Sequence, residues 1–217
     1  MRGLDGVFDG VYRWYAKQAS IGPRSRRARR FGAFGEGSGI LFPTVALYGE
    51  PYIHIGANVI IGPWCTISAG VMPGNVPESE TVLTIGDDVL IGRGSGVVGH
   101  RSISIGDGVF TGHNVYVTDA NHGYEDVHET IGRQFAAPRP VVVGAGSWLG
   151  HGSIVLPGAQ VGEHVAVGAG SVVTGELPSY SVAVGNPARV IRRYDAERAA
   201  WIEVLRDRAG AQREGGG

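Results

Sequence analysis

Residues 142–174 read VVGAGSWLGHGSIVLPGAQVGEHVAVGAGSVVT. Aliphatic residues fall at every sixth position: Val143, Leu149, Val155, Val161, Val167 and Val173. Glycine follows most of them, at Gly144, Gly150, Gly162 and Gly168. Four places after the aliphatics come small or β-branched residues: Ser147, Ser153, Ala159, Val165 and Ser171. A period of six fits neither the roughly 3.6 of an α-helix nor a simple hairpin ladder. A short fixed repeat means one unit stacked on its copies, and hexapeptide repeats mean a parallel β-helix. Three hexads make one triangular coil, with the aliphatics pointing inward. The glycines let the chain turn corners where a side chain would clash or φ would be unfavourable.

Working outward, the same series begins near Ile53, with Ile55, Ile61 and Ile67 in its aliphatic slots. The segment MPGNVPESE then interrupts it. Register resumes at Ile85, eighteen residues after Ile67, which is the length of one coil. The segment therefore replaces most of a coil or bulges from it. Ile85, Ile91, Val97 and Ile103 continue the series, and after a shift of two residues Ile105, Thr111 and Val117 carry it on. The pattern next lapses for 26 residues, between Val117 and Val143. The intervening TDANHGYEDVHETIGRQFAAPRP is polar and holds His122 and His128. A loop this long in a compact fold is usually functional. The repeat ends at ELPSYSVAVGNPARVIRR, where Pro178 and Pro187 are expected to stop the ladder. Asp195 can cap a short helix with Trp201, Ile202 and Leu205 on one face, and the Gly-rich end reads as disordered.

Before the repeat, Leu4, Val7, Phe8, Val11, Tyr12 and Tyr15 lie at helical spacing. They predict an amphipathic helix docked on the β-helix or a neighbouring subunit, or lying on a membrane surface. RSRRARR follows, with five arginines in seven residues: a solvated linker, or a site for an anionic acceptor or acidic lipid. The organisation expected is thus three parts. Residues 1–36 form the N-terminal helix and basic linker, and 37–192 form the β-helix domain with a loop extruded at 119–140. Residues 193–217 form a C-terminal helix and disordered tail.

The net charge of −1 over 217 residues gives no case for nucleic acid. The one cysteine, Cys65, occupies a small-residue slot and reads as core; it rules out an internal disulfide and fits a reducing compartment. No apolar run approaches the ~18 residues of a membrane span, and no charged-then-apolar leader pattern is seen, so the expected location is the cytoplasm.

The hexads, the histidine loop and the tail GAGSVVTGELPSYSVAVGNPARVI together resemble the hexapeptide-repeat acyltransferases. The nearest branch holds the sugar and polysaccharide O-acetyltransferases similar to galactoside, maltose and nodulation-factor acetyltransferases. The resemblance covers about Ile53 to Arg192. It implies a mainly β, left-handed parallel β-helix, a homotrimer, and acetyl-CoA bound between two subunits. It further implies a loop histidine as general base, and that histidine matches His122, sixteen residues after Gly106. The chemistry agrees: moving an acyl group from a thioester to a hydroxyl needs a base, and imidazole with an ordinary pKa of about 6.5 suits neutral pH.

By the same resemblance, Trp148 lies beside the pantetheine arm, and Gly150, His151, Ala169 and Thr174 line the CoA groove. Arg189 and Arg192 sit where cations meet CoA phosphates. Asp119 can orient the imidazole or bind the acceptor, or be a plain turn aspartate. Asn121, Tyr124 and Glu125 are candidate acceptor contacts. Three positions depart from the branch: His151 stands where galactoside enzymes have serine, Gly92 where they have asparagine, and Gly175 where the family has lysine. Zinc is a rival, since carbonic anhydrases of this fold use three histidines, two of them five residues apart; no two histidines here have that spacing, and no metal is expected. The other rivals are a non-catalytic scaffold and an antibiotic acetyltransferase of the same fold.

Overall fold

The computed structural model describes residues 2–204, with side chains from Gly6 onward. Three parallel sheets wrap around one axis, and the chain visits them in strict rotation. The first sheet runs from Ala33–Phe34 to Glu176–Leu177, and the second from Gly39–Ile40 to Ser181–Val184. The third runs from Ala46–Tyr48 to Val172–Val173. This is the left-handed β-helix.

The hexad aliphatics form its inner columns. Ile55, Ile85, Ile105, Val143, Val161 and Leu177 stack in the first sheet. Leu47, Ile67, Val97, Val117, Val155 and Val173 stack in the third. All but Leu47 are buried, and each fully buried Val, Leu or Ile contributes about 1.5–3 kcal/mol relative to exposure. Thr111 interrupts the column of the second sheet. Its hydroxyl accepts from the Gly92 N–H at 2.8 Å and donates to the Gly112 carbonyl at 3.0 Å, so the buried polar atom is satisfied.

The corner glycines are explained by close approach and not by φ. A Cβ on Gly150 would sit 2.6 Å from the Ala169 nitrogen, and one on Gly112 would sit 2.6 Å from the His151 nitrogen. The positive-φ glycines fall two places later, at Gly152 and Gly170. Gly92 likewise abuts the Gly112 carbonyl, which leaves no room there for an asparagine side chain.

Three expectations change, and one open alternative is decided. The helix starts one coil early, at Ala33–Phe34 and not near Ile53, because short strands with few aliphatics still pair with the next coil. The MPGNVPESE segment bulges: Ile67 pairs with Val97 and Ile85 with Ile55, so the eighteen-residue spacing joins different sheets. Pro178 does not stop the ladder, since Ser181–Val184 still pairs with Ala166–Val167. Nor is there a helix after residue 192 within the described residues. Arg189–Asp195 and Ala200–Glu203 form an antiparallel hairpin on the second sheet. Asp195 caps its turn by accepting from the Glu197 and Arg198 N–H groups. Leu205 and the Gly-rich end lie outside the described residues.

The N-terminal helix, Arg2–Ala19, is tethered by Tyr15 against Phe42, with ring centres 5.2 Å apart, and it leaves Val7, Phe8, Val11 and Trp14 exposed. The segment after it is only partly a linker: Ile21, Ala28 and Phe31 are buried and join the hydrophobic core.

Candidate active site

The insertions emerge at one edge of the prism. Residues 70–82, 100–102 and 119–140 all connect a third-sheet strand to the next first-sheet strand. Between them lies a cleft of about 1050 Å³. Val71, Asn75 and Glu78 from the first insertion face His122, Phe135 and Pro138 from the long loop. His100, Arg101 and Tyr116 lie on the floor between.

The long loop has its own structure. Gly123 N–H donates to the Gln134 carbonyl, Ala136 N–H to that of Asn121, and Arg139 N–H to that of Asp119, which makes a hairpin stem. The Gln134 side chain ties the tip by donating to the Asp126 and Glu129 carbonyls. His122 sits on this stem. Its Nδ1 lies 3.1 Å from the Gln134 carbonyl, and its ring packs on Phe135 with centres 5.6 Å apart. A carbonyl can only accept, so Nδ1 carries the proton, and in the neutral ring the Nε2 lone pair is then free. That is the tautomer a general base needs.

Asp119 does not orient the imidazole. It is fully buried, and its Oδ1 accepts from His100 N–H at 2.8 Å. Its Oδ2 accepts from Arg101 N–H at 2.8 Å and Ser102 N–H at 2.6 Å. The carboxylate is spent on fixing that turn. Asn121 lines the cleft, whereas Tyr124 and Glu125 are exposed beyond its lining, where Glu125 accepts from the Tyr124 N–H. The sequence assigns no site role to His100, Arg101 or Tyr116. The twenty-residue step from Ile85 to Ile105, two longer than a coil, was the one signal for the first two.

Most of the candidate donor residues lie elsewhere. Trp148, Ala166, Val182 and Arg192 form one row across neighbouring strands of the second sheet. With strands about 4.8 Å apart, Trp148 and Arg192 share a face roughly 14 Å apart. Gly150, His151 and Ala169 turn the corner between the second and third sheets, with His151 stacked edge-on to His113 at 6.3 Å. Thr174 is exposed beyond Val172–Val173, on the edge that carries the cleft. Arg189 and Arg192 lie on the terminal hairpin, and Arg192 meets Glu203 at 3.5 Å. So one chain brings His122, Asn121, His100 and Arg101 together, and places Trp148, His151 and Ala169 on another part of the prism.

Residues 140–175 match the family model "Bacterial transferase hexapeptide (six repeats)", and residues 82–119 match "Hexapeptide repeat of succinyl-transferase". These two stretches carry the bacterial hexapeptide repeat, and the chain is similar to hexapeptide-repeat acyltransferases. Among its hexapeptide relatives is a provisionally named acetyltransferase of Mycobacterium tuberculosis, 32% identical over 70% of this chain and 52% of its own length. Another is a provisionally named lipopolysaccharide biosynthesis O-acetyl transferase of Escherichia coli, 32% identical over 55% of this chain and 65% of its own length. The chain thus spans about half to two thirds of those relatives. A maltose O-acetyltransferase from Clostridium difficile 630 superposes with a TM-score of 0.50, at 26% identity over 77% of this chain and 72% of that one. The N-acyltransferase AntD of Bacillus cereus, solved with an amino sugar nucleotide and coenzyme A, shares the fold at a TM-score of 0.68 and 22% identity. That alignment covers 83% of this chain and 92% of AntD. Among the described residues of this hexapeptide protein, no cluster of three or more His, Cys, Asp or Glu could hold a metal ion, and no helix is long and apolar enough to cross a membrane.

Proposed function

We propose that the protein is an acetyl-CoA-dependent O-acetyltransferase acting on a hydroxyl of a sugar, glycolipid or polysaccharide precursor. The observation that carries this is His122, whose Nδ1 is committed to the Gln134 carbonyl beside an open cleft. In this reading Nε2 takes the acceptor hydroxyl proton as oxygen attacks the thioester carbon, and then returns it to the departing thiolate. Phe135 and Tyr116 offer flat apolar surface to a sugar ring. The E. coli relative's name and the maltose enzyme favour a carbohydrate over an antibiotic acceptor.

The donor residues fit the task. Trp148 is part-exposed, and Arg192 holds only a surface ion pair, which costs little to give up when a phosphate arrives. Because His122 and Trp148 belong to different parts of one prism, a working site draws its donor groove from a second copy, which supports a homotrimer. The unpaired cysteine and the use of acetyl-CoA fit the cytoplasm. The test is thiol release from acetyl-CoA against a panel of sugars and polysaccharide fragments. Absence of CoA binding at millimolar concentration would remove the acyltransferase reading, and a monomer mass by light scattering would remove the trimer.

A further inference from the structure

Two basic side chains of the acceptor cleft, Arg101 and His100, have no part in the proton transfer. Arg101 is exposed and lines the cleft, and no carboxylate lies within 4.0 Å of its guanidinium among the described residues. His100 is half-buried beside it, and its ring makes no hydrogen bond to the described residues. Glu78 is the single acid among the described residues that line the cleft. Asp119 lies beneath, fully buried, with its charge taken up by three backbone N–H groups.

The placement is built, not incidental. Residues 100–102 make the connection at which the coil from Ile85 to Ile105 runs two residues longer than eighteen, and a buried carboxylate holds their backbone. An exposed turn needs no such anchor to remain solvated. Fixing the backbone of His100 and Arg101 lowers the entropy cost of closing both side chains on a ligand. Planar guanidinium also matches two oxygens of a phosphate or carboxylate at once.

We propose that Arg101 and His100 form an anion subsite of the cleft, and that its ligand is a sugar bearing a phosphate or carboxylate. That this sugar is the acetyl acceptor rests on the acyltransferase reading; the subsite itself does not. Asn75 and Asn121 line the same cleft and can meet sugar hydroxyls.

The test is calorimetry on the full chain with glucose 1-phosphate, glucuronate and neutral methyl glucoside, and separately with CoA. At least one anionic sugar should bind ~10-fold or more tightly than methyl glucoside, as a charge-assisted pair implies. Which of the two binds tells phosphate from carboxylate. The advantage should shrink with salt and vanish in Arg101→Gln. That variant keeps the backbone N–H that Asp119 holds, so it should fold normally. Equal binding of all three sugars overturns the proposal, as does anion affinity that survives Arg101→Gln. Displacement of the sugar by saturating CoA overturns it too, because these basic side chains would then belong to the donor. No sugar binding with CoA binding intact sinks the subsite alone, and the reverse result sinks the acyltransferase reading alone.

Discussion

Replacing Asp119 with Asn should cost stability. An amide keeps one oxygen. If that oxygen keeps Arg101 and Ser102 N–H, the new NH2 faces the His100 N–H, so two donors meet where Oδ1 had accepted at 2.8 Å. One hydrogen bond to a charged group is lost, about 1.5–3 kcal/mol, and one donor is stranded, about 1–3 kcal/mol. Allowing for relaxation of the turn, the expected loss is about 2–5 kcal/mol. That is below the ~5–15 kcal/mol of a typical domain, so the variant still folds. Urea unfolding reads the change as a lower midpoint at unchanged slope. An unfolding free energy within ~0.5 kcal/mol of the parent would refute the structural role. Unchanged stability with a collapsed turnover would instead return Asp119 to the imidazole.

Gly150→Ala should destabilise by at least ~1–3 kcal/mol, because its Cβ would meet the backbone nitrogen of Ala169, which cannot move aside; a neutral effect by urea unfolding would contradict the corner geometry. Cys65 is buried, and burial pushes its thiol above the ordinary range, so it stays protonated where a free cysteine begins to ionise. Maleimide at mildly alkaline pH should therefore label the native protein slowly and the urea-unfolded protein fast, and equal rates would contradict this. Arg192→Ala should weaken CoA binding and flatten its salt dependence, and unchanged calorimetry would clear Arg192 of the donor site.

The fold was legible because a hexad repeats one packing decision many times. Val143 to Val173 predicts every inward position of its coils. Legibility failed where spacing coincided with a different cause. Ile67 and Ile85 look one coil apart, yet they belong to different sheets, because an insertion twelve residues long keeps the six-residue phase. It failed again at Arg189–Asp195, where Trp201 and Ile202 read as a helical face. Tyr194 and Trp201 instead meet across a hairpin, with ring centres 5.7 Å apart. His122 could be singled out by its loop and family position. The role of Asp119 could not, since its three partners lie 17–19 residues away and are backbone atoms that no motif records. For the same reason Arg101 stayed hidden: only the folded edge brings it into one cleft with His122.

The central claim is that His122 Nε2 is the base, and the most direct measurement compares turnover of His122→Ala with the parent on a hydroxyl acceptor that the parent acetylates. The account predicts kcat lowered by ~10²-fold or more, with CoA affinity, oligomeric state and unfolding midpoint unchanged. Near-normal turnover in His122→Ala would contradict it and shift attention to His128, in the same loop.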